Sequence, residues 1–215
     1  MEPDAVTIDA GPVSLAGLLQ KPAHPVGTVV FAHGSGSSRH SPRNRQVART
    51  LQGAGFATLL FDLLTDAEAQ DRANVFDIEL LGGRLVDAVG WLRRRPVFDS
   101  LPVGLFGAST GAGAALVAAA DPTCEVSAVV SRGGRPDLAG DHLAAVRAPT
   151  LLIVGGHDQA VLELNDYALQ RLRCPAQLVT VPGATHLFEE PGTLERVSEL
   201  AVEWFNTHLV RSNDG

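Results

Sequence analysis

The strongest constraint on this chain is an alternation: short runs that are almost wholly apolar are separated by longer stretches with helical periodicity. The runs are Thr28 to Ala32, Ala57 to Asp62, Pro102 to Phe106, Ser127 to Ser131, Thr150 to Val154 and Gln177 to Val181. A strand that is apolar on both faces belongs inside a parallel sheet, because parallel strands need crossovers and the crossover helices cover both faces. The intervening stretches predict helices at Arg43 to Ala54, Val75 to Arg94, Thr110 to Ala120, Pro136 to Val146, Ala160 to Leu172 and Pro191 to His208. In the second of these, Phe76, Leu80, Leu81, Leu85, Val89 and Leu92 form an apolar stripe, and Pro96 stops it. The first twenty residues read as a β-ribbon, and the polar stretch Leu64 to Asn74 as a loop near the rim of a site.

With 45% hydrophobic and 19% charged residues, the chain can bury a core and stay soluble. No repeat, low-complexity tract or linker divides it, so one domain over residues 1–215 is expected. A net charge of −7 argues against a nucleic-acid surface, which needs clustered cations to displace counterions from phosphates. The start, MEPDAVTIDAGPV, is acidic where a secretory signal would be basic and then apolar, and Ala114 to Ala120 is far short of the ~20 residues that cross a bilayer. A cytoplasmic protein without a membrane span is the expectation. Cys124 and Cys174 lack the pairing or histidine neighbours of a zinc site, and read as free thiols.

The run Pro102 to Phe106 leads directly into Gly107-Ala108-Ser109-Thr110-Gly111, and then into an alanine-rich helical stretch. This is G-x-S-x-G at a strand-to-helix junction, where the serine occupies a strained turn and its neighbours must be small. A serine hydroxyl is a poor nucleophile at neutral pH. It needs an imidazole to take its proton and a carboxylate to orient that imidazole. Thr150 to Val154 is followed by Gly155-Gly156-His157-Asp158, and Gln177 to Val181 by Pro182-Gly183-Ala184-Thr185-His186, so the chain order serine, acid, histidine is met by Ser109, Asp158 and His186. His157, Glu163 and Asp166 are weaker neighbours for the acid. Capping of the next helix is the plain structural alternative for Asp158, and a surface position is the alternative for His186.

An acyl-transfer site also needs two N–H donors for the oxyanion. The first is the amide of Thr110. The second is expected from the turn His33-Gly34-Ser35-Gly36 after the first run, with Ser35 the donor and His33 structural.

Four landmarks, FAHGSGSSRHSPRN at Phe31 to Asn44, GASTGAG at Gly107 to Gly113, GGHD at Gly155 to Asp158 and GATHLF at Gly183 to Phe188, resemble the α/β-hydrolase superfamily. The resemblance covers nearly the whole chain. It is greatest to the small, lid-poor members related to dienelactone hydrolases. It implies an α/β-hydrolase fold, with a mostly parallel central sheet, helices on both faces and minimal or no lid. It also implies a serine hydrolase acting on a small ester through an acyl-enzyme. The dienelactone enzymes proper use a cysteine nucleophile where this chain has Ser109, which speaks against dienelactone as its substrate.

Arg132 and Arg135 follow the run Ser127 to Ser131, and Arg39 and Arg43 follow the oxyanion turn; each is a candidate clamp for a substrate carboxylate. Gly107, Gly111 and Gly113 also fit a dinucleotide-binding turn resembling that of short-chain dehydrogenases. The only tyrosine, Tyr167, however, has Arg171 rather than lysine four positions on, and Lys21 is the only lysine. Neither a metal nor an organic cofactor is implied, because HExxH and GxxxxGK are both missing. The expected partner is a small ester, not nucleic acid or membrane, and a homodimer stays open. Acyl transfer or perhydrolysis by the same three residues, and a non-catalytic binding protein of this fold, are the alternatives.

Overall fold

The apolar runs become the middle of one sheet. The computed structural model describes residues 2–210. Its strands are β1 (Asp4–Ala10), β2 (Val13–Gln20), β3 (Thr28–Ala32), β4 (Ala57–Phe61), β5 (Val103–Ala108), β6 (Ala128–Arg132), β7 (Thr150–Gly155) and β8 (Ala176–Val181). They lie in the order β1-β2-β4-β3-β5-β6-β7-β8. From β4 to β8 every pairing is parallel, while β1 and β2 form an antiparallel ribbon joined to the edge of β4. Every residue of β3 to β7 is buried, whereas the ribbon strands β1 and β2 alternate between core and solvent and the edge strand β8 is mostly half-buried or exposed.

The helices are α1 (Pro42–Gly53), α2 (Arg72–Phe76), α3 (Ile78–Arg93), α4 (Thr110–Ala120), α5 (Gln159–Leu169) and α6 (Thr193–Leu209). On one face α1 supplies Val47 and Leu51, and α6 supplies Val197, Ala201 and Phe205, against Phe31, Phe106 and Ile153. On the other, α3 and α4 pack Leu81, Leu85, Ala114 and Leu116 against Val30, Leu105 and Val129. Each fully buried leucine contributes about 1.5–3 kcal/mol over exposure. Because α4 is sandwiched between sheet and outer helices, residues 110 to 119 are all buried, and only small side chains fit most of its length.

Two expected helices are altered. The stretch from Val75 to Arg94 is broken at Asp77, whose carboxylate accepts from the Leu80 amide at 3.0 Å and so starts α3 afresh. Phe76 thereby falls outside the apolar stripe and is exposed, and Ile78 takes its place. The stretch from Pro136 is a tighter 3₁₀ path through Ala145, interrupted where Gly140 takes φ 52°, ψ −127°. The Leu64 to Asn74 segment holds a 3₁₀ turn at Glu68–Gln70 and the start of α2. Buried Arg84 of α3 pins this segment down, donating to Glu68 Oε1 at 2.8 Å and to Ala10 O at 2.6 Å.

Candidate active site

Parallel strands deliver their following loops to one edge, and the loops after β3, β5, β6, β7 and β8 meet there. Ser109 is the single residue between β5 and α4, with φ 52°, ψ −124°. A non-glycine residue holds such a conformation only where its surroundings impose it, at a cost of about 1–3 kcal/mol. Here the constraint is the turn after β6: the Ser109 amide donates to Arg132 O at 3.3 Å, and the Arg135 amide donates to Ser109 O at 2.9 Å. The motif glycine Gly111 is required by close approach, since a Cβ on it would lie 2.3 Å from Ala32 O and 2.5 Å from His33 O. Gly34 is needed likewise, as its Cβ would come within 2.9 Å of Ser109 Cβ and 3.6 Å of Ser109 Oγ.

Asp158 stands at the N-cap position of α5, yet its side chain makes no cap hydrogen bond. The carboxylate turns instead to His186, with Nδ1 2.7 Å from Oδ2. The capping alternative is therefore not what the side chain does. Two bonds join the loops that carry this pair, Gly156 N to Val181 O and His157 N to Ala184 O, both 2.9 Å. The His186 loop is anchored by Phe188, a buried bulky residue at φ 54°, and by the Thr185 amide donating to Glu190 Oε2 at 3.0 Å. Such an arrangement can hold one imidazole tautomer, protonated on Nδ1, and leave Nε2 as a base.

His33 is structural, as expected. Its Nε2 accepts from the Leu63 amide at 3.1 Å, and its Nδ1 donates to Gly34 O at 3.0 Å. Burial pushes its pKa below the usual 6.5, against the opposing effects of the Gly34 carbonyl and the Asp62 carboxylate. The adjoining Ser35 amide donates to Thr110 Oγ1 at 2.9 Å, a contact between residues 75 apart. Against this turn lies a cavity of about 190 Å³, whose walls include Gly34, Ser35, Leu63, Ala69, Val75 and Leu81. A larger depression of about 760 Å³ touches Pro102, Ser127 and Ala148, just before β5, β6 and β7, and so lies at the opposite edge of the sheet.

The arginines are distributed differently from one another. Arg39 is in close contact with Asp62 through its guanidinium, and its amide donates to Asp62 Oδ1 at 2.7 Å. Arg135 makes a two-pronged contact with Asp137, at 2.8 and 2.7 Å, and Arg43 faces Glu189 at 3.2 Å. Arg132 is 7% exposed; its guanidinium donates to Asn44 Oδ1 at 3.4 Å and lies over the Phe188 ring, 5.9 Å from its centre. Burial, reinforced by nearby Arg43, pushes its pKa down to about 10. Both cysteines are free thiols, and burial pushes that of Cys124 up to about 12. One contributor escaped the sequence reading: buried Asn165 of α5 donates to Gly134 O at 3.0 Å and steadies the turn behind Ser109. Its signal was a polar residue in register with apolar Val161 and Ala168.

Residues 15–209 match the model of the dienelactone hydrolase family. The chain belongs to that family. A dienelactone hydrolase from Anabaena variabilis is 55% identical, with a TM-score of 0.92 over 97% of this chain and 100% of that one. Est1E from Butyrivibrio proteoclasticus shares the fold at 17% identity and a TM-score of 0.81, over 96% of this chain and 99% of its own. The α/β-hydrolase fold is thus shared across a wide range of sequence. A Mycobacterium tuberculosis protein that carries a provisional phosphoribosyl transferase name is 68% identical over 206 residues, which are 96% of this chain and 46% of that protein. This family member therefore spans about half the length of the mycobacterial relative. Its membership supports a hydrolase, and among the described residues no helix is long and apolar enough to cross a membrane.

Proposed function

We propose that the protein is a serine hydrolase that cleaves small ester bonds through an acyl-enzyme on Ser109. The observation that carries this reading is the 2.7 Å contact between His186 and Asp158 at the strand edge where Ser109 stands in its strained turn. In the first half-reaction the Ser109 hydroxyl oxygen bonds to the acyl carbon while His186 Nε2 takes its proton. The bond to the leaving alkoxide then breaks, and His186 returns that proton to it. Water repeats the sequence with the acyl carbon as target, which frees the acid and restores Ser109. Asp158 accepts from Nδ1–H throughout and stabilises the imidazolium.

The cavity of about 190 Å³ beside the Ser35 turn suits a short acyl group, because it is small and lined by apolar Leu63, Val75 and Leu81, and Arg84 holds the rim in place. The transferase name of the mycobacterial relative belongs to a protein about twice as long, and we assign the hydrolase chemistry to the matched portion. A fluorophosphonate probe followed by peptide mass spectrometry tests the reading: the label is expected on Ser109, and p-nitrophenyl acetate and butyrate are expected to turn over faster than the decanoate. An unlabelled Ser109, or label on another residue, overturns it.

A further inference from the structure

An amide that is to receive an oxyanion has to be available when the carbonyl arrives. The Thr110 amide meets this requirement, because it belongs to the first turn of α4, whose leading N–H groups have no partner within the helix. The Ser35 amide does not, for it already donates to Thr110 Oγ1 at 2.9 Å. Thr110 as a whole is 6% exposed, so its side chain is held in packed surroundings. A hydroxyl that accepts one hydrogen bond keeps its own proton to give.

We propose that the hydroxyl of Thr110, polarised by the Ser35 amide behind it, is the second donor to the oxyanion, so that Ser35 acts through Thr110. The assignment rests on the acyl-enzyme reading above and deepens it. The chain of contacts runs Ser35 N–H to Thr110 Oγ1, and Thr110 Oγ1–H to the substrate oxygen, with the proton staying on Oγ1 throughout. In such a chain each hydrogen bond strengthens the next. The alternative is that the hydroxyl swings away to release the Ser35 amide. That would move a buried, β-branched side chain with a stiff χ1 and break the bond it already accepts. Retaining it satisfies both donors. The threonine is also held by its surroundings, because the next residue, Gly111, is pressed against the carbonyls of Ala32 and His33.

Thr110→Val keeps the shape and removes the hydroxyl. Its kcat on p-nitrophenyl butyrate should fall by roughly 10²-fold with KM little changed, the scale seen when one oxyanion donor is lost. Thr110→Ser should keep kcat within a few-fold of the parent, and Thr110→Ala, which adds no bulk, should match the loss in Thr110→Val. If Thr110→Val or Thr110→Ala matches or exceeds the parent, or if Thr110→Ser is as impaired as Thr110→Val, the assignment is overturned. Fluorophosphonate labelling of the parent protein separates the two levels: a labelled Ser109 beside a fully active Thr110→Val removes only the hydroxyl's role, whereas an unlabelled Ser109 removes the hydrolase reading itself.

Discussion

His186 Nδ1 lies 2.7 Å from Asp158 Oδ2, although Asp158 occupies a position from which an aspartate ordinarily caps its helix. Because the carboxylate makes no cap bond, its contribution to the imidazole can be removed with little effect on α5.

Asp158→Asn should therefore separate catalysis from stability. An amide in place of the carboxylate favours the wrong tautomer of His186, and kcat should drop by about 10⁴-fold. The melting temperature should stay within a few degrees of the parent. A matching collapse of both quantities would mean that the side chain holds α5 in place after all.

Ser109 presents a trade between function and strain. Both Ser109→Ala and Ser109→Gly should abolish turnover, by about 10⁶-fold in kcat. Only glycine is at ease at φ 52°, so Ser109→Gly should be more stable than Ser109→Ala by about 1 kcal/mol in urea unfolding. Equal stabilities would contradict the strain at this turn.

His33 gives stability a pH dependence of definite sign. Burial holds its folded-state pKa below the 6.5 of an unperturbed imidazole, so the unfolded chain binds the extra proton first. Its contribution is complete above 6.5 and declines as the pH falls below 6.5 toward the lowered folded value. Protonation also removes the acceptor for the Leu63 amide. Denaturant midpoints measured from pH 7.5 to 5 should fall in the parent, and His33→Gln should flatten this part of the curve. Parallel curves would assign the slope to other groups.

Of the four arginines put forward as anion clamps, Arg39, Arg43 and Arg135 face carboxylates of their own chain, while Arg132 meets an asparagine and an aromatic ring. Its charge is the one left to act on a substrate anion. Arg132→Met should raise KM for a succinate half-ester several-fold more than for a neutral butyrate ester. Stability should be kept, since a buried charge without a carboxylate partner is replaced by an apolar chain at little cost. Equal changes in the two KM values would exclude the clamp.

Much of the frame could be read from residue order alone, for a physical reason. Strand β3 and helix α4 match their expected bounds because both are buried throughout, and an unbroken apolar or small-residue run leaves few other ways to pack. Asp77 shortened one expected helix at its start and Gly140 interrupted another, because a single cap or left-handed residue is a local event that a hydrophobic period averages away. The positions of Ser109, Asp158 and His186 were legible because each lies in the loop that follows a strand. The Ser35–Thr110 bond and the ion pairs of Arg39 and Arg135 were not legible. They depend on which side chain a particular packing brings within 3 Å, and no spacing along the chain encodes that.

The turn from Arg132 to Arg135 grips the backbone of Ser109 on both sides, whereas the segment from Leu64 to Val75 reaches the cavity as a bolted-on wall. Chemistry and selectivity are accordingly mounted on separate supports. Exchanges along that wall can retune which molecule is accepted without shifting the attacking oxygen, so diversification of substrate range in such a scaffold has an open route that leaves the reaction intact.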